Sequence, residues 1–300
     1  MNIAESRLQA ISQFIKDNRL ENRTPEIGKG IYMSYPDFFY KSIFCKEIDF
    51  NDERLTQFSL ASYLMYQFLI DVDDVFDNSG GVLIAEKLSN EIGKQNLSHH
   101  LLAGIFDFDS EFWNLYNQRQ SHFIDCHIFE ATIIDYKYKH QHYKKKLELE
   151  FYRSYYKKKC SFSSLVIDGL YILNNKQCGV ETYNKILDIN DRFNFAFCIL
   201  DDVEDYRKDI GKNQLNFAHH YFISNGNQAN ESVDEVLNNS IESFYTEGFS
   251  LQVMELAHEE LLKAFEISQD LGRDENLGIL LQLKINDLNA KMNIVREYAK

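Results

Sequence analysis

Two stretches of this sequence carry the acidic pattern D-D-x-x-D, each directly after an apolar run. They are residues 73–77 and residues 201–205. On a helix, side chains four positions apart lie on one face, so the first and last aspartates of each pattern would be stacked one turn apart. Carboxylates in that arrangement repel one another, and in the C-terminal half of a helix the macrodipole adds to the repulsion. A bound cation would compensate, so both patterns are candidate metal sites.

The cation that best fits these aspartates is Mg²⁺, which takes oxygen ligands and commonly shares its coordination shell with water and substrate phosphates. An EF-hand calcium loop does not fit, because the twelfth position counted from Asp71 is Val82 rather than glutamate. A single acidic pattern is also typical of an exposed helix end. Two copies, each after a buried apolar helix, favour clusters that together hold several Mg²⁺ ions around a diphosphate.

Basic residues are concentrated between positions 137 and 159 of an otherwise acidic chain. Such a run is typical of a solvated helix face. The alternative, which the sequence leaves open, is that part of the run faces the aspartates and neutralises a phosphate. The basic residues of this run are Lys137, Lys139, Lys144, Lys145, Lys146, Arg153, Lys157, Lys158 and Lys159.

The composition narrows the class of protein. The chain has 300 residues, a formal charge of −14 and 44% hydrophobic residues. The negative charge disfavours nucleic acid as a partner, because nucleic-acid binding depends on cationic contacts to phosphate. No apolar run reaches the roughly 20 residues of a membrane span, and the N-terminus lacks a signal-peptide pattern. We therefore expect a cytoplasmic protein that is not an integral membrane protein. Five scattered cysteines without a C-x-x-C pattern predict reduced, buried thiols rather than disulfides or a zinc site.

The elements that position the acidic motifs are predicted to be helices. Only 2 prolines and 13 glycines occur, which favours long helices over a turn-rich β fold. Segment 53–77 is predicted as a helix that Asn51 or Asp52 caps and that is apolar on nearly every face in its middle. We expect one all-α domain over residues 1–300, with about ten helices. Helical patterns cover residues 3–20, 38–44, 53–77, 82–94, 110–139, 143–173, 180–208, 213–223, 232–247, 250–270 and 275–298.

With both motifs at helix ends, the sequence resembles the class I isoprenoid synthases, which include trans-prenyl diphosphate synthases and class I terpene cyclases. The resemblance covers most of the chain. It depends on residues 73–77 and on residues 197–205 with the following Gly211-Lys212, which resemble the F-Q-x-x-D-D-x-x-D and G-K of prenyl diphosphate synthases. It implies an isoprenoid synthase-type bundle around a deep apolar active-site cavity, three Mg²⁺ ions, a prenyl diphosphate substrate of ten to twenty carbons, and a homodimer.

The resemblance also implies which residues act at the site. The first and last aspartates of the first motif would hold two ions and Asp201 the third, which makes these three the catalytic residues. The implied metal ligands are Asp73, Asp74, Asp77, Asp201, Asp202 and Asp205, and the implied diphosphate-binding residues are Arg153, Lys159 and Lys212.

Three parts of the sequence differ from the pattern of the prenyl diphosphate synthases. Those enzymes have an arginine pair after the first motif, where this chain has Val82-Leu83. Of their N-terminal G-G-K-R-x-R-P signature only Lys29 remains, and Cys198 replaces the Gln of F-Q. In the family each missing group binds or steers isopentenyl diphosphate, the second substrate of chain elongation.

These departures lead us to expect a class I terpene synthase, which ionises a linear prenyl diphosphate with Mg²⁺, cyclises or eliminates to a terpene, and releases diphosphate. The alternative is a trans-prenyltransferase that joins an allylic diphosphate to isopentenyl diphosphate or another acceptor. A third hypothesis is an inert regulatory subunit. It is disfavoured because an inert subunit has no need for mutually repelling carboxylates.

Overall fold

The structure is a computed structural model that describes residues 3–21, 31–77, 82–140, 149–212, 214–225, 241–272 and 275–298. These residues are helical and include no strand, so the predicted all-α class is confirmed. They form twelve α-helices, a short 3-10 helix and a helical segment at residues 241–246. The helices are α1 Ile3–Asp17, the 3-10 helix Ile31–Ser34, α2 Tyr35–Phe44, α3 Glu53–Asp77, α4 Val82–Ala103, α5 Glu111–His140, α6 Leu149–Lys159, α7 Ser161–Leu173, α8 Val180–Glu204, α9 Tyr206–Lys212, α10 Phe217–Asn225, α11 Phe249–Leu271 and α12 Glu275–Tyr298.

The chain divides into two compact units. Unit 1 comprises Met1–Tyr116 and Leu165–Tyr183, and unit 2 comprises Asn117–Ser164 and Asn184–Lys300. The single domain over residues 1–300 and the deep apolar cavity stay predictions. No helix in the described part of the chain is both long enough and apolar enough to cross a membrane.

Helix α3 is the centre of unit 1 and packs against α1, α2, α4 and the 3-10 helix. Its start matches the prediction because the Asp52 side chain accepts a hydrogen bond from the Leu55 amide at 3.1 Å, which satisfies one of the free donors of the first turn. Leu60, Ala61 and Leu64 in its middle are fully buried. Gly169 of α7 lies so close that an added Cβ would meet the Phe58 ring at 2.5 Å.

A buried ion pair fastens the first three helices of unit 1 together. The Arg7 guanidinium in α1 donates to both carboxylate oxygens of Asp37 in α2, at 2.9 and 2.6 Å, and to the Thr56 hydroxyl in α3 at 2.9 Å. Both charged side chains are fully buried. Removing one partner would leave an uncompensated charge in the core, so the pair fixes the arrangement of these helices.

Helix α8 carries the second acidic motif in unit 2. Its buried face includes Ile189, Ala196 and Ile199, all with no exposed surface. Close by, α10 packs on α9 and α11, and α11 packs along α12. The unit is rich in aromatic contacts; for example, the Tyr206 ring stacks on Phe244 with centroids 3.8 Å apart.

The structure corrects two of the predicted helices by dividing each into two. Segment 143–173 contains α6 and α7, which are separated at Cys160, and segment 180–208 contains α8 and α9, separated at Asp205. Near the first break the Ser163 hydroxyl donates to the Cys160 carbonyl at 2.7 Å. At the second break the Asn216 side-chain amide donates to the Asp202 carbonyl at 2.8 Å. In both places a side chain occupies a main-chain acceptor of the helix.

Other bounds differ less. Helix α10 begins at Phe217 rather than at the predicted position 213, because Asn216 caps it and accepts from the His219 amide at 2.9 Å. Helix α4 continues to Ala103, nine residues beyond the predicted end. The sequence predicts a loop over residues 21–36, but residues 31–34 form the 3-10 helix and α2 begins at Tyr35, so the last part of that prediction is wrong. Residues 22–30 of the loop, residues 78–81 and residues 232–240 of the pattern 232–247 lie outside the described residues.

Candidate functional site

The first acidic motif occupies the last turns of α3. The backbone is helical through Asp73, Asp74 and Asp77, as predicted. The structure describes the backbone of these three residues but not their side chains. Directly before the motif, the Lys94 ammonium of α4 bridges Asp71 at 2.7 Å and Glu91 at 2.9 Å. This bridge fixes the end of α3 to α4 next to the motif.

The second motif begins in the last turn of α8 and ends at the break before α9, where the Asp205 amide donates to the Asp201 carbonyl at 2.7 Å. The Asp201 carboxylate is partly exposed to solvent, and it forms no ion pair or hydrogen bond with the side chains of the described residues. Asp205 is half-buried and pairs with Lys208 at 2.5 Å. Partial burial and the negative charges of Asp205 and Glu204 raise the pKa of Asp201. The repulsion expected from the sequence is therefore present in unit 2.

Asp202 lies in a different environment from its neighbours. It is buried, and one of its carboxylate oxygens accepts hydrogen bonds from the Tyr156 hydroxyl and from the Phe217 amide, the latter at 2.7 Å. Burial raises the pKa of Asp202 to about 7, although both hydrogen bonds favour the ionised form. These contacts attach α8 to α6 and to the first residue of α10.

Asp209 lies four positions after Asp205, so it adds a further carboxylate to the second motif one helical turn into α9. Its carboxylate accepts from the Asn216 side-chain amide at 2.9 Å, and the same amide donates to the Asp202 carbonyl. Burial raises the pKa of Asp209 to about 6, and the charges of Asp205 and Asp201 contribute. Asn216 therefore links α8, α9 and the start of α10. Its position before α10 indicates the cap but not the two contacts to α8 and α9.

Lys159, which was predicted to contact diphosphate, lies beside the second motif. Its positive charge offsets part of the burial effect that raises the pKa of Asp201 and of Asp202. Its ammonium pairs with Glu130 of α5 at 2.9 Å, and Glu130 also accepts from the Tyr155 hydroxyl. Burial opposes ionisation of Glu130, but His127, Lys159 and Tyr155 together lower its pKa to about 2.

Arg153 has contacts that the sequence did not predict. Its guanidinium pairs with the fully buried Glu260 of α11 at 2.6 Å and lies over the Phe195 ring, 5.0 Å from the centroid. Arg192 and Lys263 pair with the same carboxylate at 2.7 and 3.3 Å. The role of Arg153 at a diphosphate stays a prediction. The side chain of Lys212, the third basic candidate, lies outside the described residues.

A small cavity of about 130 Å³ in unit 2 borders Asp201. Its walls are apolar side chains of α8, α11 and α12, and its rim carries Asp201, Glu204, Lys284, Asp287 and Lys291. Cavities that hold drug-sized ligands measure roughly 300–1,000 Å³. This one is therefore too small to be the predicted cavity for a prenyl chain.

The chemistry of the second motif fits Mg²⁺. Asp201 and Asp205 offer oxygen ligands only, which suits a hard cation. Among the described side chains, no group of three or more His, Cys, Asp or Glu residues is gathered as a metal site. Mg²⁺ is commonly bound by one or two carboxylates together with water and substrate phosphates. The aspartates of this motif fit such a partial shell, which further ligands would complete.

We predict that Asp201 and Asp202 differ sharply in their effect on stability. Asp202→Ala removes the acceptor of two buried donors, and we expect it to lower the free energy of unfolding by roughly 1–3 kcal/mol. The matched change Asp201→Ala removes an exposed, repelled carboxylate and should alter that free energy by less than about 0.5 kcal/mol. Chemical denaturation without Mg²⁺ measures both, and an equal loss in the two variants would contradict the assignment.

We also predict a pH-dependent contribution from Glu130. Because its folded-state pKa is lowered, its interactions stabilise the fold fully above the unfolded pKa and are lost as pH falls toward the folded value of about 2. Wild type should therefore exceed Glu130→Gln in unfolding free energy most clearly near neutral pH, and the difference should shrink below about pH 4.5. Urea unfolding over a pH series checks this; a difference that is constant with pH argues against the assignment.

Two solved structures resemble this chain over almost its whole length. The crystal structure of heptaprenyl diphosphate synthase from Staphylococcus aureus has a TM-score of 0.68 at 14% sequence identity, over 97% of this chain and 98% of that chain. The crystal structure of a polyprenyl synthase from Roseobacter denitrificans has a TM-score of 0.69 at 12% identity, over 95% and 96%. No protein-family model matches the sequence, and no curated protein matches it. The resemblance inferred from the motifs is thus confirmed at the level of structure: the chain adopts the all-helical isoprenoid synthase-type fold.

Proposed function

We propose that this protein is a Mg²⁺-dependent trans-prenyltransferase, which transfers the prenyl group of an allylic diphosphate to an acceptor. The observation that carries the proposal is a D-D-x-x-D motif at the ends of α3 and α8 in a chain whose fold is similar to two prenyl synthases. The exposed Asp201 carboxylate beside the charge of Lys159 adds to it, because a metal–diphosphate site needs groups of both signs.

The aspartates of both motifs would bind Mg²⁺, as the resemblance implies for three ions. The proposed ligands are Asp73, Asp74, Asp77, Asp201 and Asp205. When bound, Mg²⁺ neutralises the charge that develops on a leaving diphosphate. Lys159 would bind the same diphosphate, and Glu130 and Tyr155 hold this lysine in place.

Two of the predicted site residues take other parts in this proposal. Asp202 positions the end of α8 through Tyr156 and Phe217, since its carboxylate is buried and already accepts two hydrogen bonds. Arg153 stabilises the buried Glu260, and its positive charge is already paired with that carboxylate. An allylic substrate of ten to twenty carbons and a homodimer remain proposals that the resemblance alone supports.

A terpene synthase, our first expectation from the sequence, is the second candidate. The absence of an arginine pair at Val82-Leu83 and the replacement of Gln by Cys198 favour it, because both changes remove groups that serve isopentenyl diphosphate in the family. The similarity to prenyl synthases supports the prenyltransferase better. A prenyltransferase whose acceptor differs from isopentenyl diphosphate is compatible with both sets of observations.

The two candidates differ in what they require for turnover. We expect Mg²⁺ and geranyl, farnesyl or geranylgeranyl diphosphate to give a lengthened or transferred prenyl product only when an acceptor is added, with isopentenyl diphosphate as the first to be tried. Product analysis by mass spectrometry measures this. Hydrocarbon or alcohol from the allylic diphosphate alone would establish the terpene synthase instead, and no turnover with any combination would point to the inert subunit.

The metal assignment predicts a large loss of turnover without loss of fold. Asp73→Ala and Asp201→Ala should each lower kcat by at least about 100-fold, because charge stabilisation at the leaving group is typically worth that much. Asp270→Ala, which removes an exposed carboxylate near the end of α11, is the matched control and should keep wild-type turnover. Near-wild-type activity in either motif variant would defeat the assignment.

A further inference from the structure

Two of the five cysteines in this chain lie against each other. The sulfur atoms of Cys160 and Cys198 are 3.5 Å apart, although the residues are 38 positions apart in the sequence. Cys160 lies at the break between α6 and α7, and Cys198 lies in α8. All five cysteines are free thiols, as predicted, but only Cys126 is buried, whereas these two are half-buried and Cys45 is exposed.

The geometry is close to that of a disulfide. A disulfide has a sulfur–sulfur distance of about 2.05 Å, so the two sulfur atoms would have to approach by about 1.5 Å. Cys160 is outside a regular helix, and its carbonyl already accepts from the Ser163 side chain. The Cys160 amide still donates to the Tyr156 carbonyl at 2.8 Å, so closing the gap requires rotation of the two cysteine side chains or a shift of the segments that carry them.

The environment of Cys198 gives this thiol a role in the pair. The hydrogen bond with Cys160 and burial raise the pKa of Cys198 well above its usual range. Cys198 therefore keeps its proton and can donate it toward the Cys160 sulfur. The thiolate is the form of a cysteine that reacts with oxidants, and we assign it to Cys160, the partner of this protonated thiol.

We propose that Cys160 and Cys198 form a reversible oxidation site, in which a peroxide converts the dithiol to an intramolecular disulfide. The Cys160 thiolate attacks one peroxide oxygen; an S–O bond forms, the O–O bond breaks, and hydroxide leaves and is protonated to water. The Cys198 sulfur then attacks the Cys160 sulfur, the S–S bond forms, the S–O bond breaks, and a second water leaves with the Cys198 proton. Two thiols lose two electrons in total, and the peroxide gains them.

The position of this pair connects it to the candidate site. Cys160 directly follows Lys159, and Cys198 comes three residues before Asp201. We expect that drawing the two sulfur atoms together shifts one or both of the segments that carry these charged groups. This part of the inference rests on the proposed function: oxidation should lower turnover by roughly 10–100-fold, since a displacement of about 1 Å can cost about 100-fold, and a thiol reductant should restore it.

The disulfide itself is tested without any activity measurement. The full chain is exposed to hydrogen peroxide, unfolded, alkylated and digested without reductant. We expect a cross-linked peptide pair that contains Cys160 and Cys198, lighter by two hydrogen atoms than the two reduced peptides together. It should disappear after dithiothreitol treatment, when both cysteines become alkylated.

Variants separate this pairing from general oxidation. In Cys198→Ser the cross-link should be absent and Cys160 should be trapped as a sulfenic acid by dimedone, whereas Cys126→Ser, a buried cysteine of the same unit, should keep the cross-link. Two fully alkylated thiols at a peroxide dose that oxidises the exposed Cys45 would overturn the proposal, and so would pairing of Cys160 with Cys126. The cross-link is measured without an activity assay. Absence of prenyltransferase activity would therefore not contradict the disulfide, and absence of the disulfide would not contradict the proposed function.

Discussion

The mutual repulsion of carboxylates at the end of α8 is the constraint on which the arrangement of unit 2 depends. Four aspartates lie within nine positions, and each is accommodated differently. Asp202 is buried and hydrogen-bonded, Asp205 pairs with a lysine, Asp209 is held by an asparagine amide, and Asp201 stays exposed. The contacts that satisfy the first three also attach α8 to α6 and α10 and hold α9. Repulsion and burial both oppose the ionised carboxylates. These contacts offset that cost for three of them, and one carboxylate is left available.

The sequence predicted those features of the fold that depend on local patterns. Helix α3 has the predicted bounds because its cap and its apolar run are contiguous in the sequence. The contact at the Cys160 break comes from Ser163, three positions away, but serine is also common inside helices and so does not by itself indicate a break. The break at Asp205 could not be predicted, since its contact comes from Asn216, 14 positions from Asp202. The same reason explains why the motif aspartates were found while Glu130, which is 29 positions from Lys159, was missed.

The two acidic motifs do not distinguish a terpene synthase from a prenyltransferase. The positions of Val82-Leu83 and Cys198 favoured a terpene synthase, because they lack groups that serve isopentenyl diphosphate in the family. The proposed prenyltransferase draws instead on the similarity of the whole fold to two prenyl synthases. Both arguments concern the acceptor rather than ionisation of the allylic diphosphate. The first chemical step is therefore common to both candidates, and the acceptor is what experiment has to identify.

The cluster around Glu260 has a consequence for how this sequence can vary. One fully buried carboxylate is surrounded by Arg153, Arg192 and Lys263, which come from three helices. Loss of any one cation leaves two others beside the buried carboxylate, whereas loss of Glu260 removes the one acid that all three cations share. Among related sequences we expect each of the three basic residues to be substituted independently of the other two. Glu260 should be retained as long as any two of them remain.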